Sequence, residues 1–172
     1  HNSYFVGFLM DGILLLEKQK ETNHYQIQSL PINSGVFCLK KDRFQDVVWI
    51  GTDGQGVYLY SNPLYSIKSM VLSNYTEKIE RPVRAIYLDD ERTFWVGTKG
   101  NGILKIYDYE FDKNISDCRA EVLTTSNSAL SSNAVYCFAK SHRNLLWIGD
   151  EEGLTYYSYR EKRIKSIPIR IG

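Results

Sequence analysis

Val48-Trp49-Ile50-Gly51-Thr52-Asp53-Gly54-Gln55-Gly56-Val57-Tyr58-Leu59-Tyr60 is the stretch that decides the fold. An apolar run ends on a glycine, a short polar turn rich in glycine follows, and a second apolar run begins. Short runs of Val, Ile, Tyr and Trp bounded by Gly, Asp and Asn are strand and hairpin signals. The phrase returns at Phe94-Trp95-Val96-Gly97-Thr98-Lys99-Gly100-Asn101-Gly102-Ile103 and at Leu146-Trp147-Ile148-Gly149-Asp150-Glu151-Glu152-Gly153-Leu154. A weaker copy runs from Phe5-Val6-Gly7 to Gly12-Ile13, with phenylalanine in the tryptophan slot. All three tryptophans of the chain belong to this phrase, and the marker glycines Gly7, Gly51, Gly97 and Gly149 are 44, 46 and 52 residues apart. A period of this size marks one supersecondary unit used four times.

The unit extends upstream. Val36-Phe37-Cys38-Leu39, Val83-Arg84-Ala85-Ile86 and Val135-Tyr136-Cys137-Phe138 each precede their tryptophan by 12 or 13 residues. No long stretch spaces its apolar residues as a helix does. Each unit therefore parses into about four strands. They fall near 35–40, 47–52, 56–61 and 65–72 in the second unit, and near 82–88, 93–98, 102–107 and 120–124 in the third. In the fourth they fall near 133–139, 145–149, 153–159 and 163–168, and the first supplies only three, near 4–8, 12–17 and 25–30. Val36–Leu39 and Ala134–Ala139 are apolar on both faces. Such strands belong in sheets covered from both sides, whereas Lys162-Arg163-Ile164-Lys165-Ser166 reads as a polar rim strand.

Small antiparallel sheets stacked face to face about an axis satisfy this pattern. The expected fold is all-β, with β-propeller blades of four antiparallel strands. The blades divide at 1–32, 33–73, 74–124 and 125–172, and the first lacks its inner strand. Closed propellers have about four to eight blades, so an open arc of an incomplete propeller is expected. Trp49, Trp95 and Trp147, with Phe5 in the first copy, should wedge between neighbouring blades beside their glycines. An uncapped arc leaves two apolar blade faces bare, which predicts self-association.

The bulk numbers exclude more than they assign. A chain of 172 residues can bury a real core. Its 21 basic and 20 acidic residues leave a formal charge of +1, so no field draws it to nucleic acid. The apolar stretch at 4–16 is broken by Asp11 and is shorter than the roughly 20 residues of a membrane span. Cys38 and Cys137 hold the same repeat position and read as small buried thiols; with Cys118 they form neither a disulfide framework nor a metal site.

No catalytic constellation emerges. Gly51-x-x-Gly54-x-Gly56 and Gly97-x-x-Gly100-x-Gly102 resemble phosphate loops, but a strand follows where a helix N-terminus is needed. Asp89-Asp90-Glu91 and Asp150-Glu151-Glu152 read as solvated turns. His1, His24 and His142 do not repeat and adjoin no nucleophile. Asn74-Tyr75-Thr76 and Asn114-Ile115-Ser116 are formal glycosylation acceptors. No cofactor and no metal are expected.

Leu130-Ser131-Ser132-Asn133-Ala134-Val135-Tyr136-Cys137-Phe138, followed by Leu146-Trp147-Ile148-Gly149 and Gly153-Leu154, resembles the two-component regulator propeller repeat. Val48–Thr52 and Phe94–Thr98 repeat it. The resemblance implies the extracytoplasmic, periplasmic sensor region of a Bacteroidetes hybrid two-component system, whose parent carries a membrane helix, a histidine kinase and a response regulator. It implies an oligosaccharide ligand and a segment with no enzymatic activity of its own. Propeller ligands meet turns between the second and third strands and between blades. Polar residues there that differ between copies are the ligand candidates: Asp53, Gln55, Lys99, Asn101, Asp150 and Glu151. The linkers add Tyr75, Arg81, Asn127 and Asn133. Two alternatives stand beside this reading: a propeller enzyme similar to the streptogramin-lyase group, and a protein-interaction propeller.

Overall fold

A computed structural model describes residues 3–20, 22–61, 66–70, 81–109, 117–141 and 143–167. The expectations placed on Tyr75, His1, His142, both glycosylation acceptors and the tail lie outside the described residues.

The described residues are all-β, and their strands build four antiparallel sheets in chain order. Sheet 1 holds β1 (Ser3–Gly7), β2 (Ile13–Lys18) and β3 (Tyr25–Ser29). Sheet 2 holds β4 (Val36–Lys41), β5 (Val47–Thr52), β6 (Val57–Ser61) and β7 (Ser66–Met70). Sheet 3 holds β8 (Val83–Leu88), β9 (Phe94–Thr98), β10 (Ile103–Ile106) and β11 (Ala120–Leu123). Sheet 4 holds β12 (Val135–Lys140), β13 (Leu145–Asp150), β14 (Gly153–Ser158) and β15 (Arg163–Ser166). Each expected strand lies within two residues of an observed one at either end.

The repeat survives at the level of single hydrogen bonds. The strands β4, β8 and β12 each carry a bulge after their first valine, and the third residue then pairs with the marker glycine: Cys38 with Gly51, Ala85 with Gly97, Cys137 with Gly149. Thr52 and Thr98 each donate a side-chain hydroxyl across the following turn, to Gly56 O at 2.7 Å and Gly102 O at 2.9 Å. Gly12, Gly56 and Gly102 close that turn at φ of 77°, 75° and 75°. A side chain at Gly12 would also strike the Ile32 carbonyl, and one at Gly102 the Leu123 carbonyl. Glycine is thus required twice over at those two positions.

Three apolar layers lie between the four sheets. Ile13 and Leu15 of sheet 1 pack with Val36, Val48, Ile50 and Tyr60 of sheet 2. Trp49, Val57 and Leu59 of sheet 2 pack with Phe94, Val96, Leu104 and Ile106 of sheet 3. Trp95, Ile103 and Tyr87 of sheet 3 pack with Val135, Leu146, Ile148 and Tyr157 of sheet 4. Each inner sheet therefore gives one face to each neighbour. Every residue of β5 and β9 is buried as a result.

The outer sheets differ, and three expectations change there. Along β13 half-burial alternates with burial, because no sheet among the described residues covers one face. Trp147 sits on that face, half-buried, whereas Trp49 and Trp95 are fully enclosed. The strand β12, expected to be covered on both sides, is largely exposed beyond Val135. Cys137 is exposed with it and is not a buried thiol, while Cys38 is half-buried beneath sheet 3. Identical repeat positions have different surroundings when only one of them has a sheet above it.

The acidic turns are solvated as expected at Asp90, Glu91, Glu151 and Glu152, but not at the first residue of each. Asp89 is 2% exposed and Asp150 8%. The physical reason is hydrogen bonding. Asp89 accepts from the Trp95 indole, the Tyr159 hydroxyl and the backbone amides of Glu91 and Thr93. Asp150 accepts from Ser131 and from the amides of Glu152 and Gly153. Desolvating a carboxylate is tolerated when donors surround it in this way.

Candidate functional site

The candidate ligand residues cluster at one end of the sheets, in the β5–β6, β9–β10 and β13–β14 turns and the segments that enter each sheet. The same backbone hydrogen bond ties turn to entry segment three times. Asp53 N donates to Gly35 O at 2.9 Å, Lys99 N to Pro82 O at 2.9 Å, and Glu151 N to Ala134 O at 3.0 Å. Gly100 N and Gly102 N both reach Asn133 O, at 2.9 Å each, so the turn of sheet 3 is laced to the segment entering sheet 4. The backbones of these turns are therefore committed to structure, and their side chains are what remains for other contacts.

Those side chains fall into two groups. Asp53, Gln55, Lys99, Glu151 and Arg81 are exposed on the rim. Gln55 accepts from Tyr58 OH at 3.1 Å, and Arg81 lies beside Gly100. Asp150, Asn127 and Asn133 bond to the scaffold instead, although only Asp150 is buried; Asn133 is half-buried and Asn127 exposed. Asn127 Oδ1 accepts from Thr124 N at 2.7 Å and its Nδ2 donates to Val122 O at 2.8 Å, while Asn133 Oδ1 accepts from Thr125 N at 2.9 Å. Asn101 belongs to neither group. It is half-buried, and its Oδ1 has no hydrogen-bond partner among the described residues. A buried acceptor left unpaired carries a cost, which a donor from a ligand would remove.

Sequence reading missed the polar anchors of the tryptophans. Trp49 Nε1 donates to Asp42 Oδ2 and Trp95 Nε1 to Asp89 Oδ2, each at 2.9 Å. Asp42 and Asp89 stand seven and six residues before their indoles, an offset readable in the sequence. Ser141 holds the corresponding turn position in sheet 4: its amide bonds the start of β13 as those of Asp42 and Asp89 bond β5 and β9. Lys105 was missed as well. It is 4% exposed, donates to Tyr157 OH at 3.0 Å and pairs with Glu121 at 3.3 Å. Its ammonium also lies 4.4–4.8 Å from the ring centroids of Tyr157, Tyr107 and Trp95. Burial works to lower its pKa, but its hydrogen bonds to Tyr107 and Tyr157 leave it raised.

Three cavities accompany these features. One of about 520 Å³ lies between sheets 1 and 2, with Phe5, Leu39, Val48 and Tyr60 as its apolar lining and Lys41 and Asp46 at its rim. Another, of about 360 Å³, is lined by Glu121, Asn127, Tyr157 and Arg163 between sheets 3 and 4. A third, of about 600 Å³, is lined by Arg43, Lys140, Ser141 and Asn144. Of the candidate ligand residues, Asn127 alone lines any of these three. No group of His, Cys, Asp and Glu among the described residues could hold a metal ion, and no helix there is long and apolar enough to cross a membrane.

The stack of sheets is shared with solved structures. The chain superposes on the extracellular domain of BT3049 from B. thetaiotaomicron, described as a hybrid two-component system, with a TM-score of 0.73 and 23% identity over 95% of this chain and 20% of that one. It superposes on the corresponding domain of BT4673 from the same organism with a TM-score of 0.67 and 19% identity, over 90% of this chain and 20% of that one. The two chains have one fold. A third match is PorZ of Porphyromonas gingivalis, a surface component of its type-IX secretion system, with a TM-score of 0.64 and 16% identity over 91% of this chain and 23% of that one. The chain spans about a fifth of the length of these solved chains. No protein-family model and no curated protein matches the sequence.

Proposed function

We propose that the chain is a propeller segment of an extracytoplasmic sensor in a hybrid two-component system, and that it is not itself an enzyme. The observation that carries this reading is the fold shared over nearly the whole chain with extracellular domains of such systems. The four sheets act as consecutive blades, and in a longer parent chain further blades flank them. The segment serves ligand recognition and passes the signal on through the blade stack, outside the cytoplasmic membrane.

The ligand we propose is an oligosaccharide released from a glycan, met at the rim formed by Asp53, Gln55, Lys99, Asn101, Glu151 and Arg81. These groups offer donors and acceptors on neighbouring turns, as a polyhydroxyl ligand requires. The unpaired Asn101 Oδ1 supports a donor arriving there. Asp150, Asn127 and Asn133 hold the turns that display the others. Glycan-array screening of the folded chain, followed by calorimetry on any hit, tests the reading. Binding that weakens at least about tenfold in Lys99→Ala and Asn101→Ala supports it. Binding untouched by either substitution would move the site elsewhere, and turnover of a small substrate would favour an enzyme.

A further inference from the structure

One irregular position recurs in the inner strands of sheets 2, 3 and 4. In β4, β8 and β12 the pairing with the second strand skips a residue, which leaves Phe37, Arg84 and Tyr136 out of the ladder. These strands are the end strands of their sheets, and β8 lies against both β4 and β12. The residues flanking the skip serve opposite interfaces: Val36 packs with sheet 1 and Cys38 with sheet 3. A bulge re-aims the side chain between two such neighbours, here toward the free edge of the strand. The Arg84 guanidinium accordingly lies over the Phe37 ring of the adjacent sheet, 4.0 Å from its centroid. Phe37, Arg84 and Tyr136 thus mark one strip along the inner edges of three sheets. That strip is not an end face of the stack: blades added before sheet 1 or after sheet 4 lengthen it without covering it.

Arg84 is the odd member, a permanent cation between two aromatic residues. Stacking uses only the face of a guanidinium and leaves its N–H edge for hydrogen bonds. Here that edge goes unanswered. Nε is enclosed with no hydrogen-bond partner, and no carboxylate pairs with Arg84 among the described residues. Arg84 is half-buried, so the scaffold partly desolvates a charge that it does not neutralise, which is costly. Tyr136 is 41% exposed. Both residues adjoin the candidate rim. Lys99 N bonds Pro82 O, and Lys99 also bridges to Ala134. The Lys99 turn is therefore pinned to the two segments that lead, two residues later, to Arg84 and Tyr136.

We propose that Arg84 and Tyr136 form an inner subsite for an acidic sugar. The carboxylate of a uronic acid unit pairs with the Arg84 guanidinium, a charge-assisted and geometrically matched contact, while Phe37 holds the guanidinium from below. The Tyr136 ring takes the apolar side of the sugar, since an exposed aromatic offers an apolar body with a polar tip. The rest of the ligand runs outward to Lys99 and Asn101. This rests on the oligosaccharide reading above and narrows it to chains that carry a carboxylate.

Titration calorimetry of the folded chain tests it, with disaccharides of galacturonate and glucuronate, their methyl esters, and acetate. The wild type binds an acid at least about tenfold more tightly than its ester, and that preference shrinks as salt is raised. Arg84→Gln binds acid and ester alike, and Tyr136→Ala weakens both. Arg84→Lys serves should the Gln variant fail to fold: it keeps the charge, loses the planar fork and lowers the preference for the acid. Acid and ester that bind the wild type equally overturn the subsite, and so does an acid preference that survives Arg84→Gln. Either result leaves the rim reading standing if Lys99→Ala and Asn101→Ala still weaken binding. Acetate that binds as tightly as the disaccharides overturns the sugar assignment. A wild type that binds neither acid nor ester also overturns the subsite, and the oligosaccharide reading falls with it only if the glycan array is blank as well.

Discussion

Asp89 receives the indole hydrogen of Trp95 at 2.9 Å while the hydroxyl of Tyr159, 70 residues away in sequence, reaches the same oxygen at 3.1 Å. One buried carboxylate thus joins the tryptophan of sheet 3 to the chain end of β14 in sheet 4. The amides of Glu91 and Thr93 fix its other oxygen.

Removing that carboxylate strands several donors at once. Asp89→Ala is expected to cost about 3 kcal/mol, since each buried unpaired group costs roughly 1–3 kcal/mol. Asp89→Asn keeps a carbonyl acceptor and should lose roughly half as much. Urea denaturation measures both. Equal stability of the Ala variant and the wild type would mean that the turn is solvated after all.

The three tryptophans should not be equivalent. Trp49→Ala and Trp95→Ala each empty an enclosed site between sheets and should cost about 3–5 kcal/mol. Trp147 has one uncovered face, so Trp147→Ala should cost less than about 1.5 kcal/mol in dilute monomer. The ranking is read from denaturation midpoints, and a Trp147→Ala loss as large as the other two would show that its surroundings are closed.

Lys105 is buried among three aromatic rings and is paired with Glu121. A buried charge contributes little net stability once its desolvation is counted. Lys105→Met keeps the apolar stem and should fall within about 1 kcal/mol of the wild type or above it. Lys105→Ala opens a cavity between sheets 3 and 4 and should cost about 2–5 kcal/mol. If the Met variant is as unstable as the Ala variant, the ammonium and not the packing holds that interface.

Burial pushes the Cys38 thiol up to about 12, opposed by a hydrogen bond with the Gly51 backbone, while Cys137 is exposed. Thiolate is the reactive form. At pH 8 iodoacetamide should therefore label Cys137 at least about tenfold faster than Cys38, as mass spectrometry of digests would show. Similar rates at the two sites would mean that Cys38 is open to solvent in the folded chain.

The strand plan was legible because the phrase is copied. Tryptophan, marker glycine and second glycine recur in order, and each has a local mechanical reason to be there. What surrounds a repeat was less legible. Cys38 and Cys137 look alike in sequence, but only Cys38 lies beneath a further sheet. Asp89 reads as a soluble turn residue because the need of an indole N–H for a buried acceptor is a tertiary demand. Its offset from Trp95, nearly shared by Asp42 and Trp49, was the available signal. The turns of the candidate rim could be placed together because turns between repeated strands must lie together, yet which of its side chains face solvent depends on hydrogen bonds such as those of Asp150 that composition does not reveal.

The central claim is that recurring indoles lie sealed between stacked sheets wherever a following sheet exists. Fluorine NMR of the dilute chain with all three residues replaced by 5-fluorotryptophan tests it most directly, with Trp→Phe variants to assign the signals and a soluble paramagnet to report exposure. The account predicts that the resonances of Trp49 and Trp95 stay sharp and that of Trp147 broadens. Equal broadening of all three, or protection of Trp147 with exposure of Trp49, would contradict it.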